Sequence, residues 1–134
     1  MASMLKPILP QTIRAPFARY SHAIEIAGAD RLVFCSGQLG VDPDETVPPT
    51  VEGQAERCFE NIRAILGEAG LTMADIVRIN AYVTGREHMK GYMSVRDRYT
   101  RDPPPASTLM IVGGFTRQEF LVEVEVIAAG GAGG

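Results

Sequence analysis

From Val122 to Ala128 every second residue is small and apolar: Val122, Val124, Val126 and Ala128 fall on one side of an extended strand, with Glu123, Glu125 and Ile127 on the other. The first side is too apolar to face water, so this is a core strand. Its other side carries two carboxylates. A buried, unpaired carboxylate is costly, so Glu123 and Glu125 must meet a partner, a water-filled cleft or bulk solvent. Which of these they meet decides what the chain can do. Just upstream, residues 107–113 form a nearly unbroken apolar run, and Gly113, Gly114, Thr116, Arg117 and Gln118 supply turn chemistry. The spacing predicts two paired strands, 107–113 beside 120–129.

The preceding chain supplies what those strands pack against. Residues 5–19 hold three prolines and little periodicity, which predicts an irregular lead-in (1–13) with at most a short edge strand. Tyr20, His22, Ile24 and Ile26 then alternate with smaller or polar residues. Gly28-Ala29-Asp30 makes a turn, and Leu32 to Cys35 returns as a second strand of a hairpin. Thr50 is placed to cap a helix over 51–69, where Val51, Ala55, Cys58, Phe59, Ile62, Ile65, Leu66 and Ala69 form one stripe and Gly70 stops it. Val77, Ile79, Ala81 and Val83 mark the next strand. Met89, Tyr92, Met93, Arg96 and Tyr99 place a second helix over 86–100, weakened by Gly91 and ended by Asp102 and three prolines.

The order is strand, strand, helix, strand, helix, strand, strand. Right-handed crossovers would lay both helices on one face of a mixed sheet. The other face must also be largely apolar, because residues 107–112 carry apolar side chains on both sides. A second copy of the chain is the simplest cover.

A chain of 134 residues is expected to be a single domain (1–134), with a frayed glycine-rich tail over 130–134. The net charge of −3 gives no broad attraction for nucleic acid, which makes such a partner unlikely. No run approaches the roughly 18 apolar residues of a membrane span. Cys35 and Cys58 lack metal-ligand spacing and read as reduced core thiols, which suits the cytoplasm.

Over residues 14–129 the chain resembles the RidA/YjgF family, also called the endoribonuclease L-PSP family. The matching segments are FARYSHA at 17–23, VFCSGQLG at 33–40, QAERCFENIRAILGEAGLTMADIVRINAYVT at 54–84, PPPAST at 103–108 and FLVEVEVIAAG at 120–130. The resemblance implies an α+β, chorismate-mutase-like (bacillus type) fold, a mixed six-stranded sheet with two helices on one face. It also implies a homotrimer with clefts between neighbouring subunits. The best-known branch hydrolyses reactive enamines and imines to 2-keto acids and ammonia, without metal or cofactor. In that branch an arginine in a Pro-Ala-Arg-Ser/Thr motif clamps the substrate carboxylate, for which a planar guanidinium is suited. Here the motif reads Pro105-Ala106-Ser107-Thr108, so Ser107 stands where the arginine would, and the resemblance then implies a preference shifted away from simple 2-imino acids.

The same resemblance matches Glu123 to the family's acidic motif, Tyr20 to a pocket tyrosine, and Ser36 and Gly37 to a backbone turn lining the cleft. His22 stands where many relatives carry glutamine. Glu123 could orient and deprotonate a water attacking an electrophilic carbon, or form an ion pair across a subunit boundary with Arg78 or Arg117. Glu125 suits an ion pair or an inter-subunit core. Tyr20 could stack on a planar substrate or serve as an aromatic hinge. Ser107 and Thr108 could hold a carbonyl or be ordinary strand residues, and His22 could exchange protons or simply pack. Arg19, Arg78, Arg96 and Arg117 are the possible replacements for the missing guanidinium, Arg96 standing out on the inward arc of its helix. The expected function is a deaminase-like hydrolase acting on a small planar imine or enamine. The alternatives are a non-catalytic trimer that binds a small ligand or a client, and an endoribonuclease.

Overall fold

The structure, a computed structural model, describes residues 4–131; residues 1–3 and the last three positions of the expected glycine tail lie outside the described part. The strands are β1 (Leu5–Ile8), β2 (Ala23–Ile26), β3 (Arg31–Leu39), β4 (Ile76–Val83), β5 (Ala106–Ile111) and β6 (Val122–Gly130). The helices are α1 (Val51–Glu68) and α2 (Met89–Tyr99). The chain is α+β and follows the expected order from β2 onward. Among the described residues, no helix is long and apolar enough to cross a membrane.

Thr50 starts α1 as expected: its backbone is extended and its hydroxyl accepts from the Gly53 amide at 3.1 Å. Gly70, at φ +75°, ends it, a conformation that costs glycine little. The α1 stripe buries Ala55, Cys58, Phe59, Ile62 and Leu66 completely against Val122, Val124 and Ala128 of β6 and Ile79, Ala81 and Val83 of β4. Fully burying a side chain such as Phe59 or Leu66 contributes roughly 1.5–3 kcal/mol. Gly91 lets α2 approach α1 closely, since a Cβ there would lie 2.8 Å from Val51 Cγ1.

The sheet differs from the expected one in three ways. First, the strands divide into a two-stranded sheet, β1-β2, and a four-stranded sheet, β3-β6-β4-β5. The two touch through a bridge between Ser21 and Ala106 rather than forming one six-stranded sheet. Second, β2 and β3 are not a hairpin. The lead-in is partly a strand, β1, which takes β2 as its antiparallel partner and packs Leu5 into a small cluster with Val77 and Ala129. Third, β5 and β6 are not neighbours: β4 lies between them, parallel to β5 and antiparallel to β6. The α2 crossover returns the chain parallel to β4 at the sheet edge. The valine-rich β6 takes a central position, where both its edges are paired.

Two local differences have simple causes. The register of β4 on β6 shifts between Ile76 and Arg78, so Ile76 joins the main core while Val77 turns to the Leu5 cluster. Gly130, expected in the tail, belongs to β6 opposite Arg31, and a Cβ there would meet Leu71 Cδ2 at 2.4 Å. Both helices lie on one face of the four-stranded sheet. The opposite face exposes Leu32, Met110 and, at 71 %, Phe34.

Candidate functional site

Pairing across the four-stranded sheet orders the polar side chains of the helix-free face into rows. One row runs Leu39, Glu123, Tyr82, Met110; the next runs Glu125, Asn80, Thr108. Glu125 is held within its own chain: it accepts from the Tyr82 hydroxyl at 2.7 Å and from Asn80 Nδ2 at 3.4 Å. Glu123 is half-buried, and among the described residues no donor is hydrogen-bonded to its carboxylate. Desolvation, aided by the charge of Glu125, pushes its carboxyl above the usual range. Within its own chain neither Arg78 nor Arg117 reaches it: Arg78 donates to Thr108 Oγ1 at 2.6 Å, and Arg117 lies 3.9 Å from both Glu45 and Glu119.

Ser36 and Gly37 sit in an irregularity of β3, where the pairing with β6 breaks between Cys35 and Gln38. The break brings the Gly37 backbone against Glu123, and Ser36 lines a cavity of about 300 Å³ with Phe34, Asn80 and Glu125. A free carboxylate with a raised pKa beside exposed backbone can hold a water and take its proton.

A second group gathers at the outer edge of β5. Tyr20, Arg96, Ser107 and Thr108 line one cavity of about 340 Å³, together with Phe17, Met89, Met93 and Leu109. The β5 strand presents Ser107 and Leu109 on the helix side. Arg96 comes from α2, and Tyr20, whose hydroxyl accepts from the Phe17 amide at 3.2 Å, closes the mouth from the segment before β2. Within one protomer this cavity and Glu123 are apart: β6 lies two strand spacings from β5, about 10 Å.

His22 lines neither cavity, although its ring meets that of Tyr20 edge-on with centroids 6.2 Å apart. Its Nε2 pairs with the Arg14 carbonyl at 2.7 Å, and it lines a separate hollow between the two sheets with Ile24, Leu32 and Phe34. Among the described residues no group of three His, Cys, Asp or Glu converges as metal ligands would.

Sequence reasoning missed Tyr82 and Asn80, whose role depends on lying opposite Glu123 and Glu125 on a neighbouring strand. It also missed Gln54, fully buried on α1, which donates to the carbonyls of Pro48 and Glu119 and accepts from the Leu121 amide. A glutamine within an otherwise apolar helical stripe was the available signal.

The family described as endoribonuclease L-PSP matches residues 12–130. A RutC family protein of Pyrococcus abyssi is 31% identical over 115 residues, covering 84% of this chain and 87% of its own length. A mitochondrial relative, mmf2 of Schizosaccharomyces pombe, is 30% identical and covers 82% of this chain and 86% of its own. Among solved structures, RidA from an Antarctic Psychrobacter superposes with a TM-score of 0.69 at 28% identity, covering 96% of this chain and 99% of that one. A Rid family protein from Yersinia pestis reaches 0.82 over 95% of this chain and 99% of that one; at 23% identity it speaks for the fold alone.

Proposed function

The chain belongs to the endoribonuclease L-PSP family, the group of RidA and YjgF proteins, and from that premise we propose that it hydrolyses small planar imines or enamines in a cleft shared by two copies of a homotrimer. The carrying observation is Glu123: a half-buried carboxylate with a raised pKa, without a donor among the described residues, set against the Gly37 backbone. Glu123 takes a proton from water as the water oxygen bonds to the C=N carbon. The same proton then goes to the nitrogen, giving a carbinolamine; its hydroxyl proton passes through the Glu123 carboxylate to the nitrogen as the C–N bond breaks and the C=O bond forms, and a carbonyl compound and ammonia leave. An enamine enters the same sequence after tautomerising to its imine.

Assembly completes the site in this reading. Phe34, Leu32 and Met110 are apolar surface that a neighbour would bury. A neighbour is also what would bring Glu123 to the cavity at the β5 edge, since one protomer keeps them apart. The free, buried thiols Cys35 and Cys58 suit a reducing compartment, and we place the protein in the cytoplasm.

The replacement of the family's arginine by Ser107 favours one alternative, a cleft that binds a ligand or client without turning it over. Ammonia release from a panel of freshly generated imines and enamines separates the two. The hydrolase reading expects turnover that falls at least about a hundredfold in Glu123→Gln. Ligand binding with no turnover by the unaltered protein would establish the binding-only alternative.

A further inference from the structure

Three of the four arginines considered as replacements for the missing guanidinium are engaged elsewhere. Arg19 donates to the carbonyls of Thr100 and Arg101, Arg78 to Thr108 on the helix-free face, and Arg117 lies near Glu45 and Glu119. Arg96 differs. It is 3 % exposed, lines the cavity at the β5 edge, and donates from Nε to Asp97 Oδ1 at 3.1 Å. Its Nη2 lies 3.1 Å from the same oxygen without hydrogen-bond alignment, buried and with no hydrogen-bond partner among the described residues. The Ser107 hydroxyl, on the same cavity, is also buried without a partner.

The Arg96 guanidinium is thus ion-paired with Asp97 through a single oxygen, and its Nη2 and the Ser107 hydroxyl, two donors without hydrogen-bond partners on residues of one cavity, call for further acceptor oxygens. A carboxylate presents two such oxygens in the plane a guanidinium matches. Phe17, Met89, Met93 and Leu109 make the remaining lining apolar, which suits a ligand body without further charge.

We propose that Arg96 determines the specificity of this cavity, which takes a small monocarboxylate with an apolar body, its carboxylate held by the Arg96 guanidinium and the Ser107 hydroxyl. The positive charge absent at position 107 thus comes from α2, on the other side of the cavity. The inference rests on the hydrolase reading and narrows it: the substrate is an anion held from a different direction, not a less anionic compound.

Titration calorimetry on the full chain with 3-phenylpropanoate and its neutral amide, 3-phenylpropanamide, tests this. The acid is expected to bind at least about tenfold more tightly than the amide, and Arg96→Gln to abolish the difference. Because loss of a buried arginine can unfold a protein, Met93→Glu provides a second test. It places a carboxylate in the cavity beside an intact Arg96, and is expected to block the acid while melting close to the unaltered protein. Equal binding of acid and amide, binding of neither, or acid binding that survives Met93→Glu overturns the proposal. Turnover distinguishes the two readings. Arg96-dependent acid binding without imine hydrolysis removes the hydrolase and leaves this site standing. Imine hydrolysis that Arg96→Gln leaves unchanged keeps the hydrolase and overturns this site.

Discussion

A Cβ added to Gly37 would lie 2.7 Å from Cδ and 2.9 Å from Oε2 of Glu123. The clash is with the far end of a flexible side chain, so Gly37→Ala should leave the fold intact and displace the carboxylate. Misplacing a reacting group by about 1 Å can cost about a hundredfold in rate. The expected outcome is a loss of kcat of that order with a melting temperature close to that of the unaltered protein, read by ammonia release and calorimetry.

The raised pKa of Glu123 has consequences of opposite sign for activity and stability. Activity needs the ionised carboxylate, so the acid limb of the rate profile should lie above the range of an ordinary glutamate. Glu125→Gln, which removes the neighbouring charge, should move that limb down. For stability, a carboxyl raised on folding favours the native state while protonated. That contribution is present below the unfolded pKa and is lost as pH rises through the folded one. Glu123→Gln should therefore be more stable than the unaltered protein at neutral pH, with the gain vanishing in acid. Urea melts across the pH range measure this.

Gln54 ties α1 to the segments before it and before β6. Its amide donates to Pro48 O at 2.9 Å and Glu119 O at 2.8 Å, while Oε1 accepts from Leu121 N at 2.8 Å. Gln54→Ala strips partners from these part-buried backbone groups and should cost about 3 kcal/mol in chemical denaturation. A cost below about 1 kcal/mol would mean that water replaces the side chain.

The apolar helix-free face provides a test of assembly. Phe34 stands there at 71 % exposure, opposite Ile127 of β6. If the proposed trimer buries this face, the unaltered protein sediments as a trimer, and Phe34→Glu should leave secondary structure intact and sediment as a monomer, with imine turnover lost alongside.

Much of this architecture was legible because hydrophobic period is local. The α1 stripe, its Thr50 cap and the Val122–Ala128 alternation all appear where their spacing puts them. Strand partnership was not legible, because β5 and β6 follow one another in the chain while β4, placed by the α2 crossover, separates them. The same limit applies to the site. Glu123, Ser36, Gly37, Tyr20 and Ser107 stand out as residues, but their division between a sheet face and a sheet edge depends on register. Arg96 was visible as a charge on an inward arc. Its open Nη2 and its shared cavity with Ser107 required three dimensions.

Mixing two inactive variants asks whether Glu123 of one protomer works with the β5-edge cavity of another. Glu123→Gln removes the carboxylate, and Ser107→Phe fills the cavity whatever ligand it takes. Each alone should lack imine turnover. Refolded together at equal concentration, random assembly restores both halves in about a quarter of the clefts, so about a quarter of the unaltered protein's ammonia release should return. No recovery in mixed trimers, confirmed by mass, would contradict a site shared between protomers.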